Sequence, residues 1–139
     1  MDEKEFKDRT KKLAVRVIRL TEALPQNQAA WVIGKQLLRS ATSVGANYRA
    51  ACRGKSVADV IAKLGIVEEE ADESLYWMEL LIEAGLVSQA RMIDLMTETN
   101  EIVAMIVASI KTLRQKQSNP KSSEPFNPKS KIQNPKSEE

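Results

Sequence analysis

No histidine occurs among the 139 residues. Its absence removes the commonest acid/base group, the commonest metal ligand and every Ser-His or Cys-His nucleophile pair. There is one cysteine, Cys52. No intrachain disulfide can form, and the place of Cys52 in an apolar helical stripe predicts a buried, reduced thiol. Long hydrophobic runs are missing too. The longest, Ile102 to Ile110, is too short to span a bilayer, and the opening MDEKEFKDRTKK has no apolar leader segment. These absences predict a cytoplasmic protein with no membrane association, no enzymatic activity and no cofactor. The net charge is only +2. That is too little to draw nucleic acid to the molecule as a whole, so such binding requires cations segregated on one face.

What is present is helical periodicity. Phe6, Leu13, Val17, Leu20 and Leu24 recur at helical spacing before Pro25 and Asn27 turn the chain. Asn27 caps a second helix with the stripe Leu37 or Leu38, Ala41, Val44, Tyr48 and Ala51 or Cys52, ending at Gly54. Ser56, with Asp59 three residues on, opens a third helix through Val60, Leu64, Val67, Ala71, Leu75, Met78 and Ile82, closed by Gly85. Ser88 opens a fourth through Met92, Leu95 or Met96, Thr99, Ile102 or Val103, Ile106, Ile110 and Leu113. Four long amphipathic helices on short connections predict an all-α, antiparallel up-down-up-down four-helix bundle over residues 1–117. From 118 to 139 the composition turns to Asn, Pro, Lys and Ser, and NPKS occurs three times, at Asn119, Asn127 and Asn134. Such a segment cannot bury a core and is expected to be a disordered tail.

Charge is distributed unevenly over these helices. On a helical wheel Lys35, Arg39, Arg49 and Arg53 fall within about 80° of one another, opposite the core stripe. No acidic residue lies between Glu22 and Asp59. The ridge is therefore a candidate phosphate-contacting surface or one side of a charge-paired interface. Lys11, Arg16 and Arg19 extend the candidate nucleic-acid surface onto the first helix. The third helix is acidic and carries a second seam behind its core, through Ile66, Glu69, Glu73, Trp77 and Leu80. A monomeric bundle has no use for that seam. It predicts self-association, with Glu69 and Glu73 meeting Arg39 or Arg49, more naturally of a neighbouring chain than of the same one.

Catalytic and metal-binding alternatives are weak. A di-iron bundle draws Glu from all four helices and adds two Glu-x-x-His pairs, whereas the second helix has no carboxylate. The pairs Glu69/Asp72 and Glu70/Glu73 have no nucleophile or glycine-rich loop beside them. Gly34, Gly45 and Gly65, all mid-helix, suggest close helix approach. Arg39, Ser40, Ser43 and Asn47, at the core edge, suggest hydrogen bonds to another helix.

Two segments, LLRSATSVGANYRAACRGKS (Leu37 to Ser56) and IAKLGIVEEEADESLYWMELL (Ile61 to Leu81), closely resemble the four-helix-bundle proteins first noted as open reading frames in intervening sequences of 23S ribosomal RNA genes. The similarity runs from about Phe6 to Leu113. The resemblance implies a left-handed bundle, a homopentameric barrel and no enzymatic activity. A related branch, the accessory variability determinant of diversity-generating retroelements, implies a basic surface for RNA or DNA and a reverse transcriptase as protein partner. By the same resemblance Arg39, Arg49 and Arg53 belong to that surface or to intersubunit pairs. The chain departs from the family at Ala50, where an acid is common, and at Val60, where Phe is common. The first departure makes the second helix more basic; the second thins the core.

Overall fold

The computed structural model describes residues 2–118, which form four α-helices: α1 (Glu3–Glu22), α2 (Gln28–Ala51), α3 (Val57–Glu83) and α4 (Gln89–Gln117). The NPKS repeats lie outside the described residues. Each helix starts on a side chain that accepts from an amide otherwise left without a partner. Asp2 accepts from the Glu5 N–H at 2.7 Å and Asn27 from that of Ala30 at 2.8 Å. Ser56 accepts from Asp59 at 3.1 Å and Ser88 from Arg91 at 3.3 Å. The Asp59 carboxylate accepts in return from the Lys55 N–H at 3.0 Å and pairs with Lys63 at 2.9 Å. Lys63 first, then the Lys55 N–H, holds its carboxyl below the ordinary range. Helix α3 stops at Gly85, the one described residue with a left-handed backbone, φ 73°. There the Leu86 N–H donates to the Leu81 carbonyl at 2.9 Å and the Gly85 N–H to that of Ile82 at 3.0 Å, a Schellman ending that needs glycine.

Helices α1 and α2 run antiparallel, as do α2 and α3. A Cβ on Gly34 would lie 2.8 Å from Leu24 Cδ1, and one on Gly45 would lie 3.1 Å from Thr10 Oγ1, so position numbers rise along α2 as they fall along α1. The Ser40 and Ser74 hydroxyls meet at 2.8 Å, and Gly54 approaches Val60, which gives the same sense for α2 and α3. Close approach holds at Gly34 and Gly45 but not at Gly65, where a Cβ would meet nothing within 4 Å. Gly65 faces away from the neighbouring helices.

The interior is aliphatic, with the Phe6 and Tyr48 rings in contact at 4.6 Å between centroids and tilted by 48°. Leu37, Ala41, Val44, Tyr48 and Ala51 fill the α2 stripe, with Cys52 at its end. Burial pushes the Tyr48 hydroxyl and the Cys52 thiol up, so both stay protonated. On α3 the deepest C-terminal position is Leu81, with Ile82 half-buried, and Ser74 is buried beside Leu75. The apolar stripe follows the 3.5-residue repeat and drifts about 20° per heptad against the straight-helix register that favours Ile82.

Helices α1 and α4 touch more sparsely than any sequential pair, and Arg9 spans that seam. Its Nε donates to Glu98 Oε2 at 2.7 Å, its Nη2 to Glu98 Oε1 at 2.8 Å and to Glu101 at 3.1 Å, and its Nη1 to Met105 Sδ at 3.1 Å. Bidentate geometry and partial burial place this pair well above a surface ion pair. Arg9→Ala, which strands a largely shielded Glu98, is expected to cost roughly 1.5–3 kcal/mol. In a domain of this size that lowers Tm by about 10 °C, readable by circular dichroism in low salt.

Candidate nucleic-acid and assembly surfaces

Helix α2 packs between α1 and α3, so its outward strip is shared between two grooves. Lys35, Arg39, Arg49 and Arg53 are all exposed, but they do not act as one ridge. Arg39 leans to α3, where its Nη2 donates to Glu73 Oε1 at 2.7 Å and its Nη1 lies 3.8 Å from Glu70 Oε2. Arg49 leans to α1 and lines a shallow groove of about 210 Å³ with Lys7 and Lys11, over Thr10, Ala14 and Gly45. Arg53 lies past the end of α2, in the turn to α3. The Lys35 ammonium sits 5.1 Å from the Trp31 ring centroid. Arg16 and Arg19 are exposed on α1 and do not line the Arg49 groove.

Which cations are neutralised separates them. Lys7 pairs with Glu3 at 2.8 Å, Lys12 with Asp8 at 3.0 Å, Arg9 with Glu98 and Arg39 with Glu73. Among the described residues Lys11, Arg16, Arg19, Arg49 and Arg53 have no carboxylate within ion-pair distance. An unpaired guanidinium over a floor of small side chains can approach a phosphate oxygen without first breaking an internal pair.

The α3 seam needs correction. Glu73 does not await a neighbouring chain: its Oε1 accepts from Arg39 of the same chain and, at 3.2 Å, from Trp77 Nε1. Antiparallel packing puts Arg39 opposite Glu73, and the same register joins Ser40 to Ser74. Trp77 is half-buried against the core, not free in the seam, and Leu80 is half-buried as well. Glu69 and Ile66 are exposed. The largest exposed apolar group on α3 is Tyr76, 55% exposed and edge-on to Trp77 at 4.9 Å. The outward surface is thus Ile66, Glu69, Tyr76 and the rim of Leu80. Ser43 and Asn47 bond within α2, to the carbonyls of Arg39 at 2.7 Å and Ser43 at 2.8 Å; Ser40 alone of the three reaches another helix.

The sequence pattern of the family described as the 23S rRNA-intervening sequence protein matches residues 3–108. The chain belongs to that family. A crystal structure of a protein with unknown function from the S23 ribosomal protein family, from Bacteroides thetaiotaomicron, is 38% identical, with a TM-score of 0.74. The match covers 80% of this chain and 99% of that one. No curated protein matches the chain. The 23S rRNA-intervening sequence match ends at residue 108, inside α4, and so contains every paired and unpaired cation described above. The family's description names no activity. Among the described residues no helix is long and apolar enough to cross a membrane, and no three acidic or cysteine side chains converge as metal ligands.

Two residues escaped the sequence reasoning. Arg9 sits one position from the acid Asp8 and looks like part of a mixed, solvated face; its partners are about ninety residues away. Trp31 lies at the start of α2, off the core stripe, and is 66% exposed. Its i,i+4 spacing to Lys35 was a usable signal.

Proposed function

We propose that the protein is a non-enzymatic homo-oligomer, a ring of five bundles in the cytoplasm, that binds nucleic acid, RNA foremost, through the outward face of α1 and α2. The observation that carries this reading is the groove of Lys11 and Arg49, continued by Arg53, whose cations have no internal ion pair while Arg9 and Arg39 are held by acids of other helices. A ring repeats a groove that is weak in one chain and supplies avidity in place of a high charge per subunit. The family's association with 23S rRNA intervening sequences agrees with RNA. A protein partner such as a reverse transcriptase is the second reading, supported by Ile66 and Tyr76 exposed on an acidic helix.

Untagged protein purified from cells tests assembly and ligand together. The expected light-scattering mass is that of five chains, with an absorbance ratio raised by co-purifying nucleic acid that falls on washing in high salt. A mass of one chain with protein-only absorbance would remove both parts of the reading.

A further inference from the structure

The cleft where α1 hands over to α2 has a volume of about 690 Å³. Its lining is apolar at Leu24, Ala30 and Leu38, and Leu24 packs onto the buried Gly34, where a Cβ would lie 2.8 Å from Leu24 Cδ1. Its rim carries amides, from Gln26 and Gln28, and one carboxylate, Glu22, while the Thr21 hydroxyl donates to the Ile18 carbonyl at 2.9 Å. Asn27 turns its Oδ1 inward to cap α2, accepting from the Ala30 N–H at 2.8 Å. Trp31 stands at the edge, 66% exposed, with the Lys35 ammonium 5.1 Å from its centroid.

From this geometry we infer that Trp31 is a stacking platform for one unpaired nucleobase of the bound strand, on the ring face not covered by the Lys35 ammonium. The inference rests on the nucleic-acid reading of the α1–α2 face and adds a ligand class to it: single-stranded, not duplex. Two observations support it. Around Trp31 the surface mixes Asn27, Gln28 and Lys35 with the exposed Val32 and the apolar lining of the cleft. The cleft lies within the size range of small-ligand sites, and its rim is rich in amides that can meet a base edge. Glu22 can accept from an exocyclic amino group, so a base that carries one gains a bond there. Finally, Lys35 and Arg49 are fourteen residues apart on α2, so about 21 Å separates the platform from the unpaired cation groove. A strand laid along the α1–α2 groove can place a base on Trp31 and a phosphate near Lys11 and Arg49. Every base has a stackable face, so this platform holds a single strand without demanding a sequence.

The test uses the full chain and a fluorescently labelled mixed-sequence RNA of about a dozen nucleotides, single-stranded or annealed to its complement, followed by anisotropy. Trp31→Ala should weaken single-strand binding roughly 5- to 150-fold, the range of one lost base–aromatic stack. Trp31→Phe should keep part of the affinity, duplex binding should change little, and the light-scattering mass should stay the same. Single-strand affinity equal to wild type in Trp31→Ala overturns the inference. If Lys11, Arg49 and Arg53 variants still lose binding in that case, the basic-face reading survives alone. A fall in mass for Trp31→Ala and Trp31→Phe would reassign the cleft to a contact between copies. Absence of single-strand binding by the wild-type chain overturns the inference and the RNA reading together.

Discussion

Replacing Lys11, Arg49 and Arg53 together by glutamine is expected to lower single-stranded RNA affinity roughly a hundredfold at 0.1 M salt. The size follows from counterion release. Each phosphate contact on a single strand contributes about 0.7 to the slope of log affinity against log salt, so three lost contacts flatten that slope by about two. The choice of residues comes from the structure. Arg39 is excluded because its guanidinium is tied to Glu73 at 2.7 Å, and its loss would loosen α2 from α3 without reporting on RNA. Lys35 is excluded because it rests on Trp31. The three chosen side chains carry no internal pair, so helicity and Tm should be unchanged in circular dichroism. Affinity and salt slope both equal to wild type would show that this groove does not meet phosphate.

The four helices were legible in the sequence because the signals that make them are local. Asn27, Ser56 and Ser88 cap where a capping residue precedes an apolar repeat, and Gly85 closes α3 where only glycine takes φ 73° cheaply. Core positions follow equally from period. Pairing across helices is another matter. Whether Arg39 answers Glu73 in its own chain depends on the α2–α3 register, which a wheel for a single helix does not contain. Arg9 shows the same limit: its charge was plain, but its partners Glu98 and Glu101 lie in the last helix. The basic ridge was therefore right as a set of exposed residues and wrong as a single unit. Three-dimensional pairing divides it into an engaged arginine, a lysine on tryptophan, and cations left for an outside partner.

Assembly yields the other large effect, and the structure changes how to probe it. Trp77→Glu would test the ring poorly, because Trp77 packs against its own core and donates to Glu73; such a protein could fail by unfolding. Ile66 and Tyr76 are 42% and 55% exposed on the same helix, so changing them should leave the bundle intact. If the proposed ring of five is held through this face, Ile66→Lys combined with Tyr76→Lys is expected to convert it to single chains in analytical ultracentrifugation at unchanged helicity. A lysine ammonium driven into an apolar contact costs several kcal/mol unless it finds an acid. A closed ring uses the same surface once per subunit, so the penalty recurs at every contact. At about 1.4 kcal/mol per tenfold, even half of that penalty weakens each contact more than tenfold. The substitutions also bring positive charge to a helix whose acids, Glu69 and Asp72 among them, are exposed. Loss of the ring should then lower RNA affinity as well, although neither residue is on the basic face, because avidity disappears with the repeat. A five-chain mass that survives both substitutions would place the contact between copies elsewhere than on α3.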